Sequence, residues 1–275
     1  MLKLFKTNFK TTNDCIILAA PLVIFITLLR LYITYAINSV DTASKLIWGI
    51  VTAIVMFSGF LSAWLYMTKK TIALSKRTFI FNKDRVKALG YLTFTLTKGI
   101  GRLFLPILCV VLLFILFYSL TIKGITYGVE KHFGALTFNS NDIISFFTSD
   151  NALVEELYET LTIKEITAIN TWYIAFNICI ASISFFTLLW IPEIVYAEKN
   201  PLKALMNSCK KMIQGLPETI LLFFFILMIT LFSKFISMLI LLHPILYFVV
   251  LIYYYYYIVY IIVLLFSYYE QRYID

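Results

Sequence analysis

The chain has 275 residues, of which 61% are hydrophobic and 14% charged, with a mean hydropathy of +0.88. A soluble domain carries about 25% charged residues, so the composition excludes a water-soluble globular protein and leaves no stretch for a separate soluble domain. The formal net charge is +8; the positive residues cluster beside apolar runs, where anionic lipid headgroups are the nearer partner, and this argues against nucleic acid.

The chain opens on a short amphipathic stretch, with Leu2, Phe5 and Phe9 on one side and Lys3, Lys6 and Lys10 on the other. The apolar run after it is too long for the core of a signal peptide and contains Arg30, so it is expected to remain as a mature span. Apolar runs bounded by charge or turn residues then predict six spans: Cys15 to Ile37, Leu46 to Met67, Leu103 to Ile122, Thr171 to Tyr196, Thr219 to Leu241 and Ile245 to Tyr268. Each approaches or exceeds the roughly 18–20 residues needed to cross about 30 Å of hydrocarbon. "NSVDTASK" from Asn38 joins the first two, and "LLHPI" around Pro244 is a tight turn between the last two.

Cytoplasmic loops hold an excess of Lys and Arg. The segment between the second and third spans carries Lys69, Lys70, Lys76, Arg77, Lys83, Arg85, Lys87, Lys98 and Arg102, whereas the third-to-fourth connection is acidic. This predicts both termini in the cytoplasm and an extracytoplasmic loop at 123–170. Within that loop Leu153, Leu157 and Leu161 recur at helical spacing behind Asp150, a residue type suited to cap a helix start. A short acidic helix is expected there, either a lid or partner contact or a solvated cover on the bundle.

The stretch "EKNPLKALMNSCKKMIQG" predicts a surface helix. Asn200 is a good N-cap, Pro201 suits the first helical position, and Gly215 with Pro217 stops the helix. Leu202, Leu205, Met206, Cys209 and Ile213 form one stripe, with Lys203, Asn207, Lys210, Lys211 and Gln214 opposite, the pattern of a helix lying in the membrane interface. "NKDRVKALGYLTFTLTKG" matches it at a constant offset of 116 residues, from Lys83 and Lys199 through the two "KAL" triplets to Gly99 and Gly215. The candidate lipid-binding residues are therefore Lys83, Arg85, Lys87, Lys98, Lys199, Lys203, Lys210 and Lys211.

The fold class expected is all-α: a polytopic membrane bundle of about six transmembrane helices in three hairpins with amphipathic interfacial helices, one membrane domain over 1–275. The repeat divides it into parallel units 1–67, 83–196 and 199–268.

The span ending "WIPEIVYAEKNPLKALMNSCKKM" resembles the pattern of YciC-like bacterial inner-membrane proteins and of the related membrane domain fused to some glycerophosphodiester phosphodiesterases. In both, a span ends in an apolar-Pro stretch, a short polar turn follows, and a basic amphipathic helix with a central Ser, here Ser208, leads to the next span. The specific pattern covers Trp190 to Gly215. The resemblance implies a six-span inner-membrane protein mostly without assigned activity, and no hydrolase activity comes with it, since the chain ends at Asp275 with no catalytic barrel after its spans.

Several residues carry candidate chemistry. Arg30 and Lys234 lie about 15 residues, roughly 22 Å, past the starts of their spans; they either snorkel to the outer headgroups or form a paired cationic site. Glu193, just after Pro192, sits at a span's C-terminal end, where the helix dipole disfavours it. It needs a cationic partner, for which Lys199 and Lys203 are nearest in sequence. Tyr253, Tyr254, Tyr255, Tyr256 and Tyr257 cover every face of the last span, and their hydroxyls require inter-helix hydrogen bonds or a polar groove. Tyr268, Tyr269 and Tyr273 fit an interfacial aromatic belt.

Enzyme signatures are missing. His132 and His243 are isolated, Ser208 has no nucleophile elbow, and Cys15, Cys109, Cys179 and Cys209 show neither CxxC nor metal-like spacing. No cofactor and no metal is expected. The function expected is a non-enzymatic inner-membrane protein that interacts with anionic lipid and serves envelope organisation or a membrane assembly, with a membrane-protein partner or a second copy as further contacts. The alternative is a small carrier or channel for an anionic solute or lipid.

Overall fold

Apolar runs of this length leave the backbone no water to bond, so it must satisfy itself within helices. The computed structural model describes residues 2–76, 82–134, 161–238 and 244–274, and all of its regular structure is helical. In chain order these are α1 (Leu2–Asp14), α2 (Ala19–Ser39, entered through a single tight turn at Ile16–Leu18), α3 (Ala43–Ser75), α4 (Asn82–Phe133), α5 (Ile163–Phe186), α6 (Trp190–Tyr196), α7 (Pro201–Gln214), α8 (Leu216–Met238) and α9 (Pro244–Tyr273). Six stretches are long and apolar enough to cross a membrane: Ile16–Ser39, Ala43–Ser75, Gly90–Phe133, Ile163–Tyr196, Leu216–Ser237 and Ile245–Tyr273. The all-α polytopic bundle expected from the sequence is the architecture found. The expected acidic outer helix before Leu161 and the "LLHPI" turn before Pro244 lie outside the described residues.

Three details depart from expectation, and proline position accounts for two. The fourth span is broken: α5 ends at Phe186 and α6 starts at Trp190. Pro192 has no N–H for the Leu188 carbonyl and its ring crowds that oxygen. The chain takes a tight turn instead, with Trp190 N bonding Thr187 O at 3.0 Å and Glu193 N bonding Leu189 O at 3.0 Å. In the second instance the two segments matched at the 116-residue offset differ. The later segment breaks at Gly215 into α7 and α8, whereas the earlier one runs straight into its span as one helix, α4. Pro217 forces the first outcome; its counterpart at the same offset is Gly101, which imposes no break. Thirdly, 123–170 is not wholly a loop, because α4 continues to Phe133 and α5 begins at Ile163. Gly134, at φ +93°, then ends α4.

The chain divides into two compact units, residues 1–111 with 187–275, and residues 112–186. In the smaller one Trp172 is fully buried among Val129, Ala168 and Ile169, and its indole N–H bonds Thr126 Oγ1 at 3.0 Å. In the larger one the fully buried side chains include Leu18, Leu65, Ile72, Trp190, Phe266 and Tyr269. Two indoles act there as cross-ties, Trp64 Nε1 to Leu18 O at 2.9 Å and Trp190 Nε1 to Pro201 O at 2.8 Å. The second ties α6 to the start of α7.

Three positions matched at the 116-residue offset are buried in both segments. Leu92, Gly99 and Leu103 are buried in α4, as are Ser208, Gly215 and Thr219 at the same offset.

Candidate functional site

The basic end of the larger unit collects most of the predicted residues. Helix α7 begins where the sequence predicts: Asn200 Oδ1 accepts from Leu202 N at 3.1 Å and Lys203 N at 3.2 Å, and Glu198 Oε1 accepts from Asn200 N at 2.9 Å. Its surface has three arcs rather than two. Leu202, Met206 and Ile213 are 59%, 73% and 70% exposed, a free apolar arc. Beside it Lys203, Asn207, Lys210 and Gln214 form an exposed polar arc, and Ala204, Ser208 and Met212 form a third that is buried against the protein. The sequence signal for that third arc was present as small residues four apart, which allow close helix approach.

Lys211 belongs to the third arc. Its ammonium donates to Glu193 Oε2 at 2.8 Å and to the Tyr269 hydroxyl at 2.6 Å, while Tyr269 donates to the same Glu193 oxygen. Tyr273 then donates to the Lys211 carbonyl at 3.0 Å. The partner of Glu193 is thus Lys211 rather than Lys199 or Lys203. Lys203 stands on the exposed polar arc and Lys199 in the turn before the helix, and neither pairs with Glu193. The triangle closes a buried carboxylate against two donors and fastens α6, α7 and α9 together. Its chemistry is that of a structural tie, since each group is occupied by the other two.

The C-terminal tyrosines turn inward as well. Tyr268 and Tyr269 are buried, and the Tyr268 hydroxyl lies 3.3 Å from Thr219 Oγ1, which corrects the expectation of an ordinary interfacial belt. Deeper in α9, Tyr253 pairs with Ser233 at 2.9 Å, Tyr257 with Thr230 at 2.7 Å, Tyr254 with the Ser233 carbonyl at 3.5 Å, and Tyr256 with Asn13 Oδ1 at 2.9 Å. Of the two outlets expected for the run, inter-helix bonding takes four hydroxyls. Tyr255 makes no hydrogen bond among the described residues.

Lys199, Lys203 and Lys210 are exposed with no ion-pair partner among the described residues. Lys98 is exposed beside Tyr91, whose hydroxyl lies 3.3 Å from its ammonium. The side chains of Lys83, Arg85 and Lys87 lie outside the described residues. Arg30 and Lys234 are both exposed, on α2 and α8, and neither forms an ion pair among the described residues. Ahead of the first span, burial pushes the Cys15 thiol up to about 12. Among the described residues no three His, Cys, Asp or Glu side chains are grouped to hold a metal ion.

The described helices and this site define an integral, multi-pass membrane protein. No protein-family model, curated protein or solved structure matches the chain.

Proposed function

We propose that this is a non-enzymatic protein of the bacterial inner membrane whose basic end holds anionic lipid, in the service of envelope organisation or a membrane assembly. The observation that carries the reading is the surface of α7. An apolar arc of Leu202, Met206 and Ile213 suits the acyl boundary, an adjacent arc with Lys203 and Lys210 suits phosphates, and a third arc is fixed to the protein by Ala204, Ser208 and Lys211. A helix held in this way has its lipid-facing arcs set by the fold, so little ordering is left for binding. The excess of Lys and Arg in the loops at this end supports cytoplasmic termini, and the motif from Trp190 to Gly215 supports the likeness to YciC-like proteins. The carrier alternative draws less support, because four of the intramembrane tyrosine hydroxyls are taken up in ties between helices.

The test is native mass spectrometry of the protein released from nanodiscs formed directly from its own membrane, comparing wild type with Lys203→Glu/Lys210→Glu. Lys211 is left intact so that the fold is not the variable. Anionic lipid retained by wild type and reduced in the variant is the expected result; equal retention would sink the reading.

A further inference from the structure

Two cations meet over one tyrosine ring where α3 and α4 cross, at the basic end, with a third, Lys69, close by. The convergence starts with a glycine. A Cβ on Gly99 would lie 2.9 Å from Ala63 Cα, 2.9 Å from Ser62 O and 2.8 Å from Tyr66 Cβ. Only a residue without a side chain lets α4 press so closely on α3. One turn beyond this contact, Arg102 reaches Tyr66: its Nη1 donates to the Tyr66 hydroxyl at 3.3 Å and its Cζ stands 5.8 Å from the ring centroid. From the other helix Lys70 places its ammonium 5.8 Å from the centroid of the same ring. Lys98 precedes Arg102 by four residues on the same face of α4, but its ammonium turns back to the Tyr91 hydroxyl at 3.3 Å.

Lys69 stands behind them. It is bound to Val195 O at 3.0 Å, lies 4.4 Å from the Tyr196 ring centroid, and feels the charges of Lys70, Arg102 and Glu270. Glu270 is ion-paired to Lys76 at 3.0 Å. Among the described residues, then, Lys70, Lys98 and Arg102 have no carboxylate partner. Like charges gathered in this way repel, and α4 carries two of them four residues apart, a spacing that destabilises a helix. A bound anion reverses the sign of that arrangement.

The donors suit a phosphate. Arg102 spends one of five N–H groups on Tyr66, Lys70 has three donors, and the Tyr66 hydroxyl, having accepted from Arg102, retains a proton to give. The depth selects the source. Tyr66 lies at the end of the expected second span, Leu46 to Met67, and Arg102 directly before the third, Leu103 to Ile122, so the ring stands at the boundary between hydrocarbon and headgroups. One turn further into the span from Arg102, Leu105 is exposed on α4, an apolar track for an acyl chain.

We propose that the α3–α4 junction is a discrete site for the phosphate of an anionic glycerophospholipid, held by Arg102 and Lys70 over Tyr66. It rests on the reading that this end of the protein meets lipid headgroups, but not on α7.

The experiment places the full chain in phosphatidylcholine nanodiscs containing a minor fraction of phosphatidylglycerol and counts retained phosphatidylglycerol by native mass spectrometry. The variants are Lys70→Gln/Arg102→Gln, Tyr66→Phe and Lys203→Gln/Lys210→Gln. The first is expected to weaken the tightest-bound phosphatidylglycerol about 25-fold, at about fivefold per cation near a membrane surface. Tyr66→Phe keeps both cations and the ring, so it guards against misfolding and is expected to weaken binding by a smaller factor. The variant on α7 should keep this one lipid while losing others. If the junction variants hold the lipid as wild type does while the α7 variant releases it, this site is wrong and the proposed function stands; if none of them changes retention, both are wrong. In delipidated protein in neutral detergent, calorimetric binding of inorganic phosphate as tight as that of phosphatidylglycerol would reassign the site to a free anion and overturn the lipid proposal.

Discussion

Glu193 and Tyr269, 76 residues apart in the chain, meet in a hydrogen bond of 2.5 Å, and Lys211 bonds to both. The relationship fixes a helix that composition alone would leave floating on the membrane surface. The carboxylate side chain is 2% exposed and the lysine 25%, and that asymmetry leads to a directional prediction.

Lys211→Met should cost more than Glu193→Gln. The first leaves a buried carboxylate with only Tyr269 to answer it, at about 3 kcal/mol for a broken buried pair. The second leaves a lysine that is partly in water, and about half that cost is expected. The double substitution should cost less than the sum by about 1–3 kcal/mol. Denaturant unfolding in detergent measures all three; additive effects would show that the pair is not coupled.

Gly99 and Gly101 make a matched pair within one helix. A methyl group at Gly99 meets the backbone of α3 below 3.0 Å, whereas one at Gly101 meets nothing within 4 Å. Gly99→Ala should destabilise by about 2 kcal/mol, and Gly101→Ala should be neutral or stabilise by up to about 1 kcal/mol through helix propensity. Thermal unfolding of the two variants in the same detergent decides it, and equal shifts would contradict the close approach.

Among the five consecutive tyrosines, Tyr257→Phe should cost about 0.6–1.7 kcal/mol, the range for hydrogen bonds between membrane helices. The cost is bounded because Thr230 also donates to the Ile226 carbonyl at 2.7 Å and is not orphaned. Tyr255→Phe should change almost nothing. A larger loss at Tyr255 than at Tyr257 would assign the run a role other than helix pairing.

Cys15 gives a pH dependence. Burial raises its thiol from an ordinary 9.0 to about 12, so the folded chain keeps a proton that the unfolded chain releases. The stability this contributes is whole below pH 9.0 and is lost as pH rises towards about 12. In a variant with the other three cysteines replaced by serine, iodoacetamide should leave Cys15 unlabelled at pH 9 and label it after unfolding. Ready labelling of the folded protein at that pH would rule out the burial.

Orientation is checked with reporter fusions. Fusions after Met212 and Asp275 should report from the cytoplasm, and fusions after Asn38 and Ser149 from the opposite side. A cytoplasmic signal at Ser149 would reverse the charge-based assignment.

The spans, the start of α7 and the α7–α8 break were legible because each depends on neighbours in sequence: run length, an Asn-Pro cap, and Gly215 followed by Pro217. Pro192 gave the same kind of warning of a break at Leu188, and reading the fourth span as one apolar run passed over it. The partner of Glu193 was misread because proximity in sequence was used in place of direction on the helix. Lys199 and Lys203 are nearer in the chain, but Lys211 is on the arc that faces α6 and α9. The inward turn of Tyr268 and Tyr269 was hidden for a related reason. An aromatic at a span end looks the same in sequence whether its ring faces lipid or a neighbouring helix.

By itself the sequence determined that this chain crosses a membrane as helices, how many long apolar runs it has, and which end of the bundle is basic. These follow from hydrocarbon thickness and from the requirement that backbone polar groups be satisfied inside it, both local conditions on a run of residues. Only the tertiary structure decided which lysine on α7 is tied to the protein and which are left exposed, and that Gly99 brings Arg102 and Lys70 over one tyrosine. Those are matters of azimuth and of contact between helices far apart in the chain, and lipid and protein neighbours favour the same apolar residues, so composition cannot tell them apart.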